Sequence, residues 1–300
     1  AALMLALAAT MIGTSFLSGI FGMAGGMILM GVLLALLPVP ETIAAIYAFA
    51  RSADDFADEG DLAADDRLNL LRSYQRELNA IAENQPTTHP IFLRLRPVIT
   101  QYSLPLSLFH DLLDAFMQDV TCNRYASHAE LLDYCRRSAN PVGRLLLHLF
   151  AAATEENVIY SDAICSALQL INHWQDIGID SHKGPEGRIY LPAEDMARFN
   201  VSENDILLGT THTDCINTAS HNFCALMRFE VDRARALMLQ GAPLGRALPG
   251  RIGLEIRTII HGGLRILEKI EAVNYDVFNH RPQLQAFDWP LIGWRALFES

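Results

Sequence analysis

Apolar residues recur three and four positions apart along most of the chain, and they almost never alternate with period two. This pattern predicts an all-α protein with no sheet. Residues 42–57 read as the first helix, followed by a charged turn over 58–66 that contains Gly60. Leu68, Leu71, Leu78 and Ile81 place one stripe on a helix over 65–83. After a loop at 84–90, helices follow over 91–102 and 105–119. In the second of these, Phe109, Leu112, Leu113 and Phe116 form a core stripe. Ser127 or His128 opens the next helix, and 131–153 continues it. A kink is expected at Pro141-Val142-Gly143, because proline removes a backbone donor and crowds the preceding turn. The central helix spans 162–179, and a polar loop over 181–191 follows it. Ser202, with Asp205 three residues on, starts a short helix. Two long helices, over 212–239 and 251–273, complete the pattern.

Residues 1–40 break the amphipathic rule. They contain no Asp, Glu, Lys, Arg or His, and the first charge is Glu41. About 20 apolar residues suffice to cross a bilayer. Gly19, Gly22, Gly25, Gly26 and Gly31 divide the run into a helix or a helical hairpin. The run is too long for a signal peptide and has no basic start. Two segments are therefore expected: 1–41, hydrophobic and membrane-inserted, and 42–300, a helical domain. A buried hairpin of a soluble helical protein is the alternative for the first. The abrupt change near Pro38-Val39-Pro40 suggests a fusion, a gene-calling artefact or a fragment junction.

Composition removes several function classes. The 300 residues carry a formal net charge of −11, and Lys and Arg form no dense run, which excludes a nucleic-acid surface. Cys122, Cys135, Cys165, Cys215 and Cys224 form no Cys-x-x-Cys pair, so a zinc site or disulfide framework is not expected, and reduced thiols fit a cytosolic compartment. There is no dinucleotide fingerprint and no phosphate-binding P-loop.

Two acidic stretches carry the chemistry. Asn172, Asp176 and Asp180 stand at i, i+4 and i+8, one helical face over two turns, with Gln169 one turn earlier. Far upstream Asp54 and Asp58 repeat the spacing, with Arg51 one turn before them. An isolated Asp pair at this spacing is as often a solvated acidic face. Two such pairs in apolar sequence are costly to bury without a cation. Hard oxygen ligands of this kind suit Mg²⁺. Two such helices facing each other would hold Mg²⁺ against a diphosphate, with Arg51 as a further phosphate contact. Lys183, Arg188 and Tyr190 lie in the loop after the second motif, placed to fold over the same anion.

These stretches also carry a resemblance. Residues 44–300 resemble the squalene/phytoene synthase family of head-to-head prenyl synthases. The match rests on Tyr47-Ala48-x-x-Arg51-x-x-Asp54-Asp55-x-x-Asp58, on Tyr134-Cys135 through Pro141-Val142-Gly143, on Gln169-x-x-Asn172-x-x-x-Asp176-x-x-x-Asp180, and on Arg188-x-Tyr190-Leu191-Pro192. Asn172-His173-Trp174-Gln175-Asp176 and Arg136-Arg137-Ser138-Ala139-Asn140-Pro141 are similar to the bacterial hopanoid-pathway branch called HpnC. The resemblance implies an all-α isoprenoid-synthase bundle with a central cavity. In that branch presqualene diphosphate loses diphosphate and water captures the rearranged cation, giving hydroxysqualene. The alternative is condensation of two farnesyl diphosphates. By family position Asp54, Asp58, Asn172, Asp176 and Asp180 bind Mg²⁺, and Arg51, Gln169, Arg188 and Tyr275 contact diphosphate. Tyr47 and Tyr134 line the reaction cavity, and Asp54 and Asp176 belong to the catalytic set. Tyr47, Phe49, Tyr134 and Trp174 are candidates for cation–π support, worth roughly 0.5–2 kcal/mol per ring, with core packing as the competing role for each.

Two departures qualify the match. Many relatives carry Arg where this chain has Gln175. The family's first helix, with a Ser contact to diphosphate, is replaced by a stretch around residues 13–26 that resembles a transmembrane segment of the TauE/SafE sulfite-exporter family. Three readings follow: a prenyl diphosphate enzyme at or anchored to the bacterial inner membrane beside other hopanoid-pathway enzymes, a transport fragment fused to an inactive helical domain, and a prenyl-lipid binding module without turnover.

Overall fold

A computed structural model describes residues 40–58, 60, 62–209 and 218–299. The described residues contain helices and no strand: α1 (Pro40–Asp58), α2 (Ala64–Ala82), α3 (Pro90–Tyr102), α4 (Leu106–Thr121), α5 (His128–Ser138), α6 (Asn140–Leu149), α7 (Glu155–Asp180), α8 (Ala193–Arg198), α9 (Glu203–Leu207), α10 (Thr218–Gly241), α11 (Leu244–Ala247), α12 (Gly250–Ala272) and α13 (Asp288–Phe298). The expected all-α bundle is what forms. Residues 1–39, and with them the expected membrane insertion, lie outside the described residues. Among those described, no helix is long and apolar enough to cross a membrane.

The central helix α7 runs for 26 residues and packs against α5, α6, α10, α11 and α12. It starts a full two turns earlier than the apolar pattern suggests. Thr154 caps it by accepting from the Asn157 N–H, and Glu155 and Glu156 complement the positive end of the helix dipole. Those polar residues hid the start from a search for apolar spacing.

The kink expected near Pro141 is a full break. α5 ends at Ser138, Ala139 stays in the right-handed region but with φ stretched to −115°, and α6 restarts with Pro141 in its first turn, where a missing N–H costs nothing. Gly143 serves close packing here. A Cβ there would collide with Ser161 Oγ and Cys165 Sγ, so glycine lets α6 lie directly on α7. The Ser202 start of α9 is a full capping box with Asp205.

Two apolar clusters hold the molecule together. One gathers α1–α4 and α6 around Phe49, Tyr74, Phe92 and Phe109, whose rings meet edge to face or stacked at 4.9–5.8 Å. The other surrounds α7, with Leu170, Trp174, Leu226 and Leu267 fully buried. Phe49 and Trp174 therefore serve as core, not as cavity aromatics. Each lies on the helix stripe opposite its acidic motif. The carboxylate faces of α1 and α7 look away from these cores.

Candidate active site

Asp54 and Asp58 occupy the last two turns of α1, with Tyr47 and Arg51 earlier on the same face. The end of α1 is fixed by Arg67 of α2, whose guanidinium donates to the carbonyls of Phe56, Ala57 and Gly60 at 3.1, 2.8 and 2.6 Å. Those carbonyls have no partner within the helix, so Arg67 locks the turn that presents Asp58.

Asp58 of α1 and Asp180 of α7 converge on one cation. Lys183 Nζ lies 3.5 Å from Asp58 Oδ2 and 3.2 Å from Asp180 Oδ1. Arg188, from the same loop, reaches Asp58 Oδ1 at 2.8 Å and donates to the Asp119 carbonyl at 3.0 Å. The polar loop after α7 thus closes over both acidic helices, as its position in the sequence suggests. Tyr190, at its end, stacks on His173 with ring centroids 3.6 Å apart.

The carboxylates differ sharply in their surroundings. Asp54 has Arg51 no nearer than 3.9 Å, and its Oδ2 is buried without a hydrogen-bond partner. Burial, reinforced by Asp58 and Asp119, pushes its carboxyl up to about 8. Burial also works on Asp58, but Arg188 and Lys183 outweigh it and hold that carboxyl below its ordinary value. Asp180 is raised by burial to about 6 despite Lys183. Burial and the nearby Lys183 and Arg188 depress His173 to about 3, so its imidazole is neutral.

The remaining predicted residues divide into two groups. Gln169 is buried on the acidic face of α7, with Nε2 3.4 Å from His173 Nε2 and Oε1 unpartnered. The Asn172 amide nitrogen is likewise buried and unpartnered. Tyr134 is 3 % exposed and donates its hydroxyl to Asp119 Oδ2 at 3.0 Å. Asp176 is engaged from another quarter: Arg281 grips it through Nε at 2.6 Å and Nη2 at 3.1 Å. Tyr275 follows α12 with a positive φ, and its hydroxyl accepts from Arg228 of α10 at 3.4 Å.

Neither Arg281 nor Asp119 stands out in the sequence. Arg281 sits in an irregular segment 105 positions after its partner, and only its place in a basic pair with His280 hints at it. The structure shows how it arrives. Gly178 lets the backbone of Phe278 approach α7 where a Cβ would stand 3.0 Å from Phe278 Cα. Gln175 then donates to the Pro282 carbonyl at 2.5 Å. Gln175, where the family resemblance leads to an expectation of arginine, anchors the loop that delivers a guanidinium to the neighbouring Asp176. Asp119 gives no signal beyond being a lone acid near a helix end.

An all-helical bundle with facing acidic helices under a basic loop is the architecture of prenyl diphosphate synthases. Residues 30–288 match the squalene/phytoene synthase family, and the chain belongs to it. The chain is 33% identical over 220 residues to the hydroxysqualene synthase of Zymomonas mobilis, across 72% of this chain and 69% of that protein. It is 31% identical over 258 residues to the hydroxysqualene synthase of Rhodopseudomonas palustris, across 86% and 82%. Its structure is similar to that of squalene synthase HpnC from Alicyclobacillus acidocaldarius, with TM-score 0.69 and 35% identity over 79% of this chain and 84% of that one. A dehydrosqualene synthase solved with a ligand shares the fold at TM-score 0.72 and 21% identity, over 97% and 96%. The chain is therefore an enzyme of the prenyl diphosphate transferase and lyase type.

Proposed function

We propose that this enzyme converts presqualene diphosphate and water into hydroxysqualene and diphosphate, with Mg²⁺, in hopanoid biosynthesis. The observation that carries the reading is the meeting of Asp58 and Asp180 on one ammonium. Two helices distant in sequence spend carboxylates on a shared positive charge, with further unpartnered polar atoms of Asp54, Gln169 and Asn172 beside them. Hydroxysqualene synthases among the relatives support this choice of reaction.

The donors suit Mg²⁺ in kind, since the acidic faces offer oxygen and no thiolate or imidazole; among the described residues no three of the acids gather at one point, and Lys183 stands between Asp58 and Asp180. Asp54, Asp58, Asn172, Asp176 and Asp180 would hold it. When bound, the ion neutralises the charge that develops on the departing diphosphate. Arg51, Lys183 and Arg188 would bind the phosphate oxygens, with Gln169 and Tyr275 as further polar contacts. Arg281 holds Asp176 in a fixed orientation. The buried rings of Tyr125, Tyr134 and His173, with half-buried Tyr190, form an aromatic group beside the acids. Neutral His173 adds no positive charge that would oppose a carbocation. Tyr134, with Tyr47 on α1, would face the prenyl chain. The apolar stretch 1–40 supports a place at the cytoplasmic face of the inner membrane, beside other hopanoid-pathway enzymes.

The test is the purified full chain with Mg²⁺ and presqualene diphosphate or farnesyl diphosphate, products read by mass spectrometry. Hydroxysqualene formed from presqualene diphosphate without a reductant is the expected result. Squalene formed only with a reductant from farnesyl diphosphate would favour the condensing reading, which the name of the Alicyclobacillus neighbour supports. No Mg²⁺-dependent diphosphate release from either substrate would reject both.

A further inference from the structure

Asp119 stands in the last turn of α4, between the acidic cluster and the aromatic group, and the mechanism above gives it no task. Its Oδ2 accepts the Tyr134 hydroxyl at 3.0 Å. Its Oδ1 is closed off from solvent and has no hydrogen-bond partner. Arg188 is adjacent, but it donates to the backbone carbonyl of Asp119 and to the carboxylate of Asp58. Among the described residues, the side chain is thus left to the Tyr134 hydroxyl as its hydrogen-bond donor. Burial pushes the Asp119 carboxyl up to about 7, with Asp58 adding to the rise and Arg188 opposing it.

A tie between α4 and α5 would explain the hydrogen bond but not the charge. An amide at position 119 would accept from the phenol equally well. It would also avoid placing a third carboxylate in the field of Asp54 and Asp58. The charged acceptor has one consequence that an amide lacks: it can take the phenolic proton. With its O–H committed to Asp119, the Tyr134 oxygen has its lone pairs free to accept a hydrogen bond from another donor. Around its ring stand Tyr125 at 5.5 Å and Tyr190 and His173 at 6.1 Å between ring centroids, polar-edged rings among which an acceptor with free lone pairs would order a water molecule.

We propose that Asp119 is the positioning residue of the terminating step, orienting the Tyr134 hydroxyl so that its oxygen holds the water that captures the carbocation. This rests on the water-terminated reaction proposed above. The step balances without a redox partner. A lone pair of the water oxygen forms the new C–O bond to the cationic carbon. One water O–H bond breaks, and its proton passes to the Tyr134 oxygen as the phenolic proton passes to Asp119 Oδ2. The diphosphate has already left with the electron pair of its own C–O bond.

The test compares wild type, Asp119→Asn, Asp119→Glu and Tyr134→Phe on presqualene diphosphate with Mg²⁺ in ¹⁸O-labelled water. The readout is ¹⁸O-labelled alcohol formed per diphosphate released, so a general loss of rate does not move it. In Asp119→Asn and Tyr134→Phe the alcohol fraction should fall at least about tenfold in favour of hydrocarbons formed by proton loss, a modest share of what a positioned proton acceptor contributes. Asp119→Glu should recover part of the alcohol. An unchanged alcohol fraction in Asp119→Asn, with wild type making alcohol, overturns the proposal and leaves the reaction assignment standing. If Asp119→Asn does not fold, Tyr134→Phe decides the same question, because it keeps the carboxylate and removes the hydroxyl that the carboxylate orients. Wild type that makes no alcohol overturns the reaction assignment and this step together.

Discussion

Asp54 and Asp288 are both buried carboxylates, 7 % and 1 % exposed, and they could hardly be treated more differently. Asp288, at the start of α13, receives Arg265 Nε at 2.7 Å, Lys269 Nζ at 2.6 Å and the Gln285 N–H at 2.8 Å. Burial tends to raise it, but those partners hold it below its ordinary value. Asp54 has an unpartnered oxygen and three carboxylate neighbours, Asp58, Asp119 and Asp55, and burial with these lifts it to about 8. The first arrangement satisfies an ion so that a helix can dock. The second leaves one unsatisfied, a cost the fold tolerates only where a ligand later removes it.

Replacing each acid with its neutral amide should therefore give opposite results. Asp54→Asn should lower Mg²⁺-dependent diphosphate release by about 10²-fold or more, since a charge that serves the transition state is lost. The same variant should melt no lower than wild type without metal, because it replaces a buried carboxyl whose ionisation burial already opposes with a neutral group of the same shape. Asp288→Asn should leave turnover intact but lower stability by about 2–3 kcal/mol. That lies somewhat below the usual penalty for breaking a fully buried pair, because Arg265 and Lys269 keep partial contact with water. Thermal melts with a chelator, paired with a diphosphate-release assay, check both. A large drop in the Asp54→Asn melting temperature would place Asp54 with Asp288 as a structural ion.

The contrast also has a pH dependence, and its sign follows from proton uptake. Asp54, Asp119 and Asp180 sit at about 8, 7 and 6 in the folded protein against 3.8 ordinarily. The folded state binds more protons than the unfolded chain between those values, so metal-free stability falls as pH rises from about 4 to 8. Asp58 and Asp288 are depressed and act the other way. Their stabilisation is present above 3.8 and is lost as pH falls through their lowered values. Buried Glu230, raised by burial to about 8, adds a decline of its own away from the site. Mg²⁺ separates the two sources. The rise in melting temperature on adding Mg²⁺ should be larger at pH 8 than at pH 6, and Asp54→Asn should flatten that difference. An equal rise at both values would mean that the site acids are already ionised before metal binds.

How much of this is visible in the sequence follows from the distance over which each feature is encoded. The two acidic faces are local, set by i, i+4 spacing inside single helices, and α1 and α7 display them as the spacing requires. The break at Pro141 and the capping box at Ser202 are local too. Asp119 and Arg281 acquire their partners only when α4 meets α5 and when the segment after α12 crosses α7. No spacing rule reaches across such gaps. The short helices α8 and α11 and the terminal α13 also escape the pattern. The first two span a turn or so, and α13 is apolar on most sides, so none of them gives a clean amphipathic period. The apolar stripe that marks Phe49 and Trp174 is legible as well, but the resemblance to a cationic reaction draws them toward the cavity. Their helix phase already places them in the core.

The smallest expected effect concerns Lys183, the cation that links the two acidic helices through their side chains. Its ammonium is held above its ordinary pKa by Asp180 and Asp58, against a burial effect that acts to lower it. A divalent ion that takes those same carboxylate oxygens must displace it, so Lys183 competes with metal before it can turn to phosphate. Lys183→Gln keeps the length and polarity of the side chain and removes the charge. It should tighten Mg²⁺ binding in the absence of substrate by about two- to fivefold, while lowering the metal-free melting temperature slightly as Asp58 and Asp180 lose their shared partner. That range corresponds to about 0.4–1 kcal/mol, the size of a partly exposed ion pair. Titration calorimetry with Mg²⁺ alone measures it. Asp288→Asn should leave the same titration unmoved, which keeps the effect tied to the site. Weaker Mg²⁺ binding in Lys183→Gln would mean that the lysine draws the two carboxylates together for the metal instead of competing with it.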